Sequence, residues 1–163
     1  IKNQRNEIKD LIKIREYHDS YGWHQKNRIK DLGLQSCIED KYLSSLSITK
    51  RLSTCRLCVT TSNGTSFLET FSSNYPTLVY FNTNYWELNS HAKTYFDNLE
   101  QAGIFHKSEK SLNTKLNQIY ENPNEWWFED EVQDAKNSFC LEFAKGSEDL
   151  ISVWTKKIKN VVI

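Results

Sequence analysis

The chain has 163 residues, and its 21 Lys and Arg balance 21 Asp and Glu, so the formal net charge is zero. That balance excludes a nucleic-acid binder working through a broad basic surface, because neutralising phosphates needs clustered positive charge. A mean hydropathy of −0.67 and the lack of any long apolar run exclude a membrane-spanning helix, which needs about 20 apolar residues.

Leu11 to Arg15 reads as a strand, and Trp23 to Leu32 as a helix stopped by Gly33. Leu34 to Ile38 is a second, weaker strand. Tyr42 to Thr54 carries Leu43, Leu46 and Leu52 at roughly helical spacing. Leu57 to Thr61 is a strand, followed by the turn cluster Ser62-Asn63-Gly64 and a helix over Thr65 to Ser73 that ends before Pro76. Thr77 to Phe81 is a continuous apolar run of the kind found in buried parallel strands. A polar-aromatic stretch from Asn82 to Ser90 leads to a helix over His91 to Gln101, closed by Gly103, and Ile104-Phe105 is a short last strand. Helices are expected over Ser108 to Tyr120, Glu125 to Ala144 and Gly146 to Asn160. Alternating strands and helices imply an α/β fold: a Rossmann-like parallel sheet with helices on both faces and a helical C-terminal tail. The expected division is one domain, with an α/β core over 1–107 and helices over 108–163 packed on it.

The chain starts at Ile1 and contains no Met, so it is read as a piece of a longer protein. No basic stretch followed by an apolar one opens it, which fits a cytoplasmic protein, with peripheral attachment to a membrane as an option. Of the four cysteines, Cys55 and Cys58 form a C-x-x-C. Zinc would need two more closely spaced ligands, and a redox pair would open a helix, whereas Cys58 falls in a strand. Free thiols are the expectation, and neither a metal nor a cofactor is called for.

In an open α/β sheet, ligands bind outside the carboxyl ends of the strands, which picks out three loops. The second, Thr60 to Ser66, sets small hydroxyl residues and Gly64 where a helix begins. Amide N–H groups and the helix dipole there suit phosphate oxygens. The same residues also read as a plain capping box, Ser66-Phe67-Leu68-Glu69, with Glu69 reaching back to the N-cap amide. No P-loop pattern is present. The first loop crowds His18, Asp19 and Tyr21 beside Arg15, with His18 next to Asp19 as a base and an orienting carboxylate. In the third loop, Asn82 and Asn84 are candidates for polar ligand contacts, while Tyr85 and Trp86 are expected to anchor the loop by packing. The pair Trp126-Trp127 is read as a core anchor, and His24 and His106 as solvated or structural.

Thr60-Thr61-Ser62-Asn63-Gly64-Thr65-Ser66-Phe67-Leu68-Glu69-Thr70, followed by Asn74-Tyr75-Pro76-Thr77, resembles a family of bacterial transferases of surface-carbohydrate (O-antigen and capsule type) biosynthesis. The likeness continues through Asn84-Tyr85-Trp86-Glu87-Leu88, Ala102-Gly103-Ile104-Phe105-His106, Trp126-Trp127 and Glu131-Val132-Gln133, and covers about residues 11 to 155. Upstream, Asp19-Ser20-Tyr21-Gly22-Trp23 falls where the family has a similar stretch. The resemblance implies the C-terminal, donor-binding half of a GT-B-like glycosyltransferase. Its partners would be a nucleotide-activated sugar and a missing N-terminal half of the same chain, which supplies acceptor contacts and the catalytic base. It implies that Ser62, Asn63, Gly64, Thr65 and Ser66 hold the donor diphosphate, with Glu69 as the helix acid; Arg15 would add charge at the same sheet edge. A sugar-nucleotide epimerase, a glycerophosphate-type transferase and a non-catalytic interaction domain of the same fold are the competing readings.

Overall fold

The computed structural model describes residues 6–16, 21–39, 46–145 and 149–161. Its centre is a three-stranded parallel sheet of β1 (Cys58–Thr60), β2 (Thr77–Tyr80) and β3 (Phe105–His106), in the order β1-β2-β3. Cys58 pairs with Thr77, and Val79 with Phe105. Each parallel step needs a crossover, and helices α4 (Thr65–Ser72) and α5 (Ser90–Gln101) supply them. Before the sheet lie α1 (Asn6–Lys9), α2 (Gln25–Asp31), a 3-10 turn over Gln35–Cys37 and α3 (Ile48–Leu52). After it come α6 (Glu109–Ile119), α7 (Pro123–Trp127), α8 (Asp130–Phe143) and α9 (Leu150–Val161). The Rossmann-like α/β expectation is met.

Pleat alternation sorts the two faces. Phe81 and Phe105 have ring centroids 4.6 Å apart and both reach Phe96 of α5, so this face carries α4 and α5. Their neighbours Tyr80 and His106 point the other way, where His106 Nδ1 lies 2.8 Å from Ser111 Oγ of α6. Helices therefore cover both faces. α8 lies across α4 and α5 through Phe139, which meets Phe67, Phe71 and Phe96 at 5.1–5.9 Å.

The buried positions follow helical spacing: Phe67, Thr70 and Phe71 on α4, and Ala92, Phe96 and Leu99 on α5. α5 stops at Gly103, whose φ of +70° suits glycine, and an added Cβ would come within 3.1 Å of Lys115 Cε. Trp127 is fully buried and donates to the Asn74 carbonyl at 3.1 Å, and Trp126 donates to the Ala102 carbonyl at 3.4 Å. Both acceptors precede β2 or β3, so the tryptophan pair closes the amino edge of the sheet.

Four expectations change. Leu11 to Arg15 is not a strand: Ile14 makes an isolated parallel bridge with Ile38, outside the three-stranded sheet. Leu34 to Ile38 contributes that bridge after its 3-10 turn. The helix expected over Glu125 to Ala144 is two, broken at Phe128 and Glu129, where the Glu129 φ/ψ of −61°/140° is extended. Tyr85 does not anchor its loop: it is 84% exposed, and only Trp86 approaches Phe81, at 6.5 Å.

Candidate functional site

The carboxyl ends of β1 and β2 open onto a cleft of about 390 Å³. Asn63, Gly64 and Thr65 line one wall; Glu87, Leu88 and Asn89 line the other; Phe67, Phe96 and Phe143 form the apolar floor. The turn after β1 and the segment leading into α5 are thus brought together, and α8 closes the cleft through Phe143.

The two helix starts at this cleft differ. Asn89 Oδ1 accepts the Ala92 N–H at 2.8 Å and caps α5. The N-cap of α4 is Gly64, with extended φ/ψ of −116°/−176° and no side-chain cap. The expected capping box does not form, because Ser66 lies within the first turn rather than at the N-cap. Glu69 is then too far along the helix to reach back; it is exposed, and its carbonyl accepts from the Ser73 hydroxyl at 2.9 Å. The first-turn amides of α4 are left without a side-chain cap beside the cleft, where the helix dipole favours an anion.

Just below, Thr60 ends β1. It pairs with Val79, so its side chain shares the face of α4 and α5. Its hydroxyl is buried and has no hydrogen-bond partner among the described residues. A buried unpaired hydroxyl is costly, and this one stands one residue before the turn.

The other predicted residues are placed as follows. Ser62 Oγ is 3.4 Å from where a Cβ on Gly64 would sit, so it overhangs the turn. Ser66 is exposed on the first turn of α4. Asn82 Oδ1 accepts the Asn84 N–H at 2.9 Å, and the Asn82 carbonyl accepts from Tyr85 and Trp86 at 3.0 and 3.1 Å. Asn82 therefore shapes its own loop, and neither asparagine lines the cleft. Arg15 is exposed next to the isolated bridge and is not part of the cleft lining. Tyr21 is 62% exposed, its ring 5.4 Å from that of Trp23. His18 and Asp19 lie outside the described residues.

Sequence reasoning put Glu87 in the third loop without singling it out, and missed Asn89 and Phe143 as cleft residues. Glu87 was legible as a polar residue after β2 in a stretch carrying the family likeness. Phe143 was not, because only the packing of α8 brings it near a turn some eighty positions earlier.

A second groove, of about 420 Å³, runs between α6 and the Gly103 corner. Its His106 is buried, with Nε2 3.2 Å from the Gly103 carbonyl and Nδ1 2.8 Å from the Ser111 hydroxyl. A carbonyl can only accept, so Nε2 carries the proton and Nδ1 accepts from Ser111. Burial pushes the His106 pKa down, partly offset by the Gly103 carbonyl, so the ring is neutral and pins β3 to α6. Cys55 and Cys58 are free thiols; burial, and then Cys55 beside it, push Cys58 up to about 11. Among the described residues, no group of three or more His, Cys, Asp or Glu could hold a metal ion.

Comparison with curated proteins and with solved structures finds no match. The sequence model described as "LIC12162 family transferase" matches residues 1–158. That match spans nearly the whole chain and includes the cleft, both helix starts and the sheet. The chain belongs to the LIC12162 family of transferases.

Proposed function

We propose that the cleft binds the diphosphate of a nucleotide-activated sugar, and that the protein is the donor-binding half of a GT-B-like glycosyltransferase of bacterial surface-polysaccharide synthesis. Membership of a transferase family supports a group-transfer role. The observation that carries the reading is the uncapped start of α4 at Gly64, set over a cleft at the carboxyl edge of a parallel sheet.

In such a transfer the bond between the sugar's anomeric carbon and the terminal phosphate oxygen breaks, and the leaving diphosphate gains negative charge. The Thr65, Ser66 and Phe67 amides, with the hydroxyls of Ser62, Thr65 and Ser66, would receive that charge. Removing one fixed donor of this kind costs roughly 10²–10³ in rate. Gly64 leaves room for the phosphate to approach the backbone. The companion half would supply the acceptor site and the base that takes the acceptor's proton. On this reading the reaction takes place in the cytoplasm.

A thermal-shift titration against nucleoside diphosphates and their sugar conjugates tests this. At a hundredfold excess over Kd, binding adds about 2.7 kcal/mol, or a Tm rise of roughly 5–10 °C for a domain of this size. The decisive variant is Gly64→Asp. Its backbone suits aspartate, and the new carboxylate would cap α4 while occupying the anion position. The expected result is an unliganded Tm that is equal or slightly higher, with the ligand response lost. A wild-type Tm that no nucleotide moves, or a Gly64→Asp protein that responds like wild type, would contradict the reading.

A further inference from the structure

The last described helix, α9, exposes Ile151, Trp154 and Ile158 along one side. Ile151 is 82% exposed, Trp154 61% and Ile158 56%. At 3.6 residues per turn these three fall within an arc of about 60°. Lys156 lies on the far side, with the exposed Val153, and Lys157 and Lys159 flank the arc on either side; all three lysines are exposed. No Asp or Glu occurs between Leu150 and Val161. Asp149 Oδ1 accepts the Ser152 N–H at 3.0 Å and caps the helix start. No helix among the described residues is long and apolar enough to cross a membrane.

A short basic helix with a tryptophan in its apolar stripe has the form of an interfacial helix, which lies in the headgroup plane with its apolar side down. We propose that α9 docks on an anionic lipid surface, with Ile151, Trp154 and Ile158 entering the acyl boundary and the lysines meeting the headgroups. Charge selects this occupant over a second copy of the chain. A second α9 offers Lys156, Lys157 and Lys159 no acid between Leu150 and Val161 to pair with. An anionic bilayer matches both the sign of the helix and its apolar stripe. The inference stands apart from the proposed function, since it uses no residue of the cleft.

The test is flotation of the purified chain with phosphatidylcholine vesicles, with and without phosphatidylglycerol, beside Trp154→Glu and a variant with Lys156, Lys157 and Lys159 all changed to Gln. Each lysine near an anionic surface contributes about fivefold in affinity, so anionic vesicles should bind roughly a hundredfold better than neutral ones. The lysine variant should lose that preference, and Trp154→Glu should lose binding at unchanged Tm. Sedimentation velocity without lipid covers the alternative occupant. Equal binding to both vesicle types, no binding to either, or a dimer that Trp154→Glu dissociates would each overturn the proposal.

Discussion

On the proposed reading, Gly64 is where helix stability and ligand binding separate. A residue with a capping side chain would stabilise α4 and fill the space a phosphate needs, so the glycine suits a turn kept open. Thr60 below it repeats the pattern, as a buried hydroxyl with no partner among the described residues. His106 is the opposite case, with both ring nitrogens engaged. Its pKa is pushed below the ordinary 6.5, so as pH falls through 6.5 the unfolded chain takes up the proton before the fold does. Its contribution is intact above pH 6.5 and is lost on going lower. Urea unfolding between pH 5 and 7.5 should show stability falling on the acid side, with a shallower slope in His106→Gln; parallel slopes would show that His106 is not held neutral. The tryptophans' role was legible from residue type, because large aromatics dominate cores. The orphaned Thr60 hydroxyl was not, because satisfaction depends on neighbours that only the fold supplies.

At the scale of elements, α8 holds the α4–α5 face together and shapes the floor of the cleft. Phe139 sits among Phe67, Phe71, Phe96 and Phe143 and is 2% exposed. Phe139→Ala should cost about 3–5 kcal/mol, read as a lower urea midpoint. A loss below about 0.5 kcal/mol would place α8 outside the core, since that is the scale of surface changes. The long apolar and periodic segments were legible: α4, β2, α5 and α6 lie within a residue or two of their expected bounds. The misses have local causes. Leu11 to Arg15 has a strand-like composition, but a strand exists only through its partner, and the bridge to Ile38 is isolated. The break at Glu129 has no Gly or Pro to mark it, and the extended residue there lets α8 turn onto α4 and α5 after the tryptophans are buried. The capping-box pattern was real in sequence but two positions late, because the helix begins at the glycine.

For the whole molecule, two layers of helices enclose a short parallel sheet. Its amino edge is shut by Trp126 and Trp127, and its carboxyl edge is open at the cleft. The rule for open sheets points to the carboxyl edge, and the turn that the resemblance picks out contributes Asn63, Gly64 and Thr65 to the cleft lining there. The structure unites Asn63, Gly64 and Thr65 with Glu87 and Asn89, while Asn82, Asn84 and Arg15 stand off the lining. Two causes are at work: a loop's position in sequence does not tell which side chains turn inward, as Asn82 shows by bonding its own loop, and the segment of Arg15 is not part of the sheet at all.

The most direct measurement is of the α4 amides themselves. In a ¹⁵N-labelled chain titrated with nucleoside diphosphates and their sugar conjugates, the Thr65, Ser66 and Phe67 N–H signals should move together and saturate. The Ala92 N–H, already held by Asn89, should move far less. Saturating shifts centred elsewhere, for example on the Ser111 groove, or no shift at the α4 amides with any donor, would contradict the claim that this helix start holds the diphosphate.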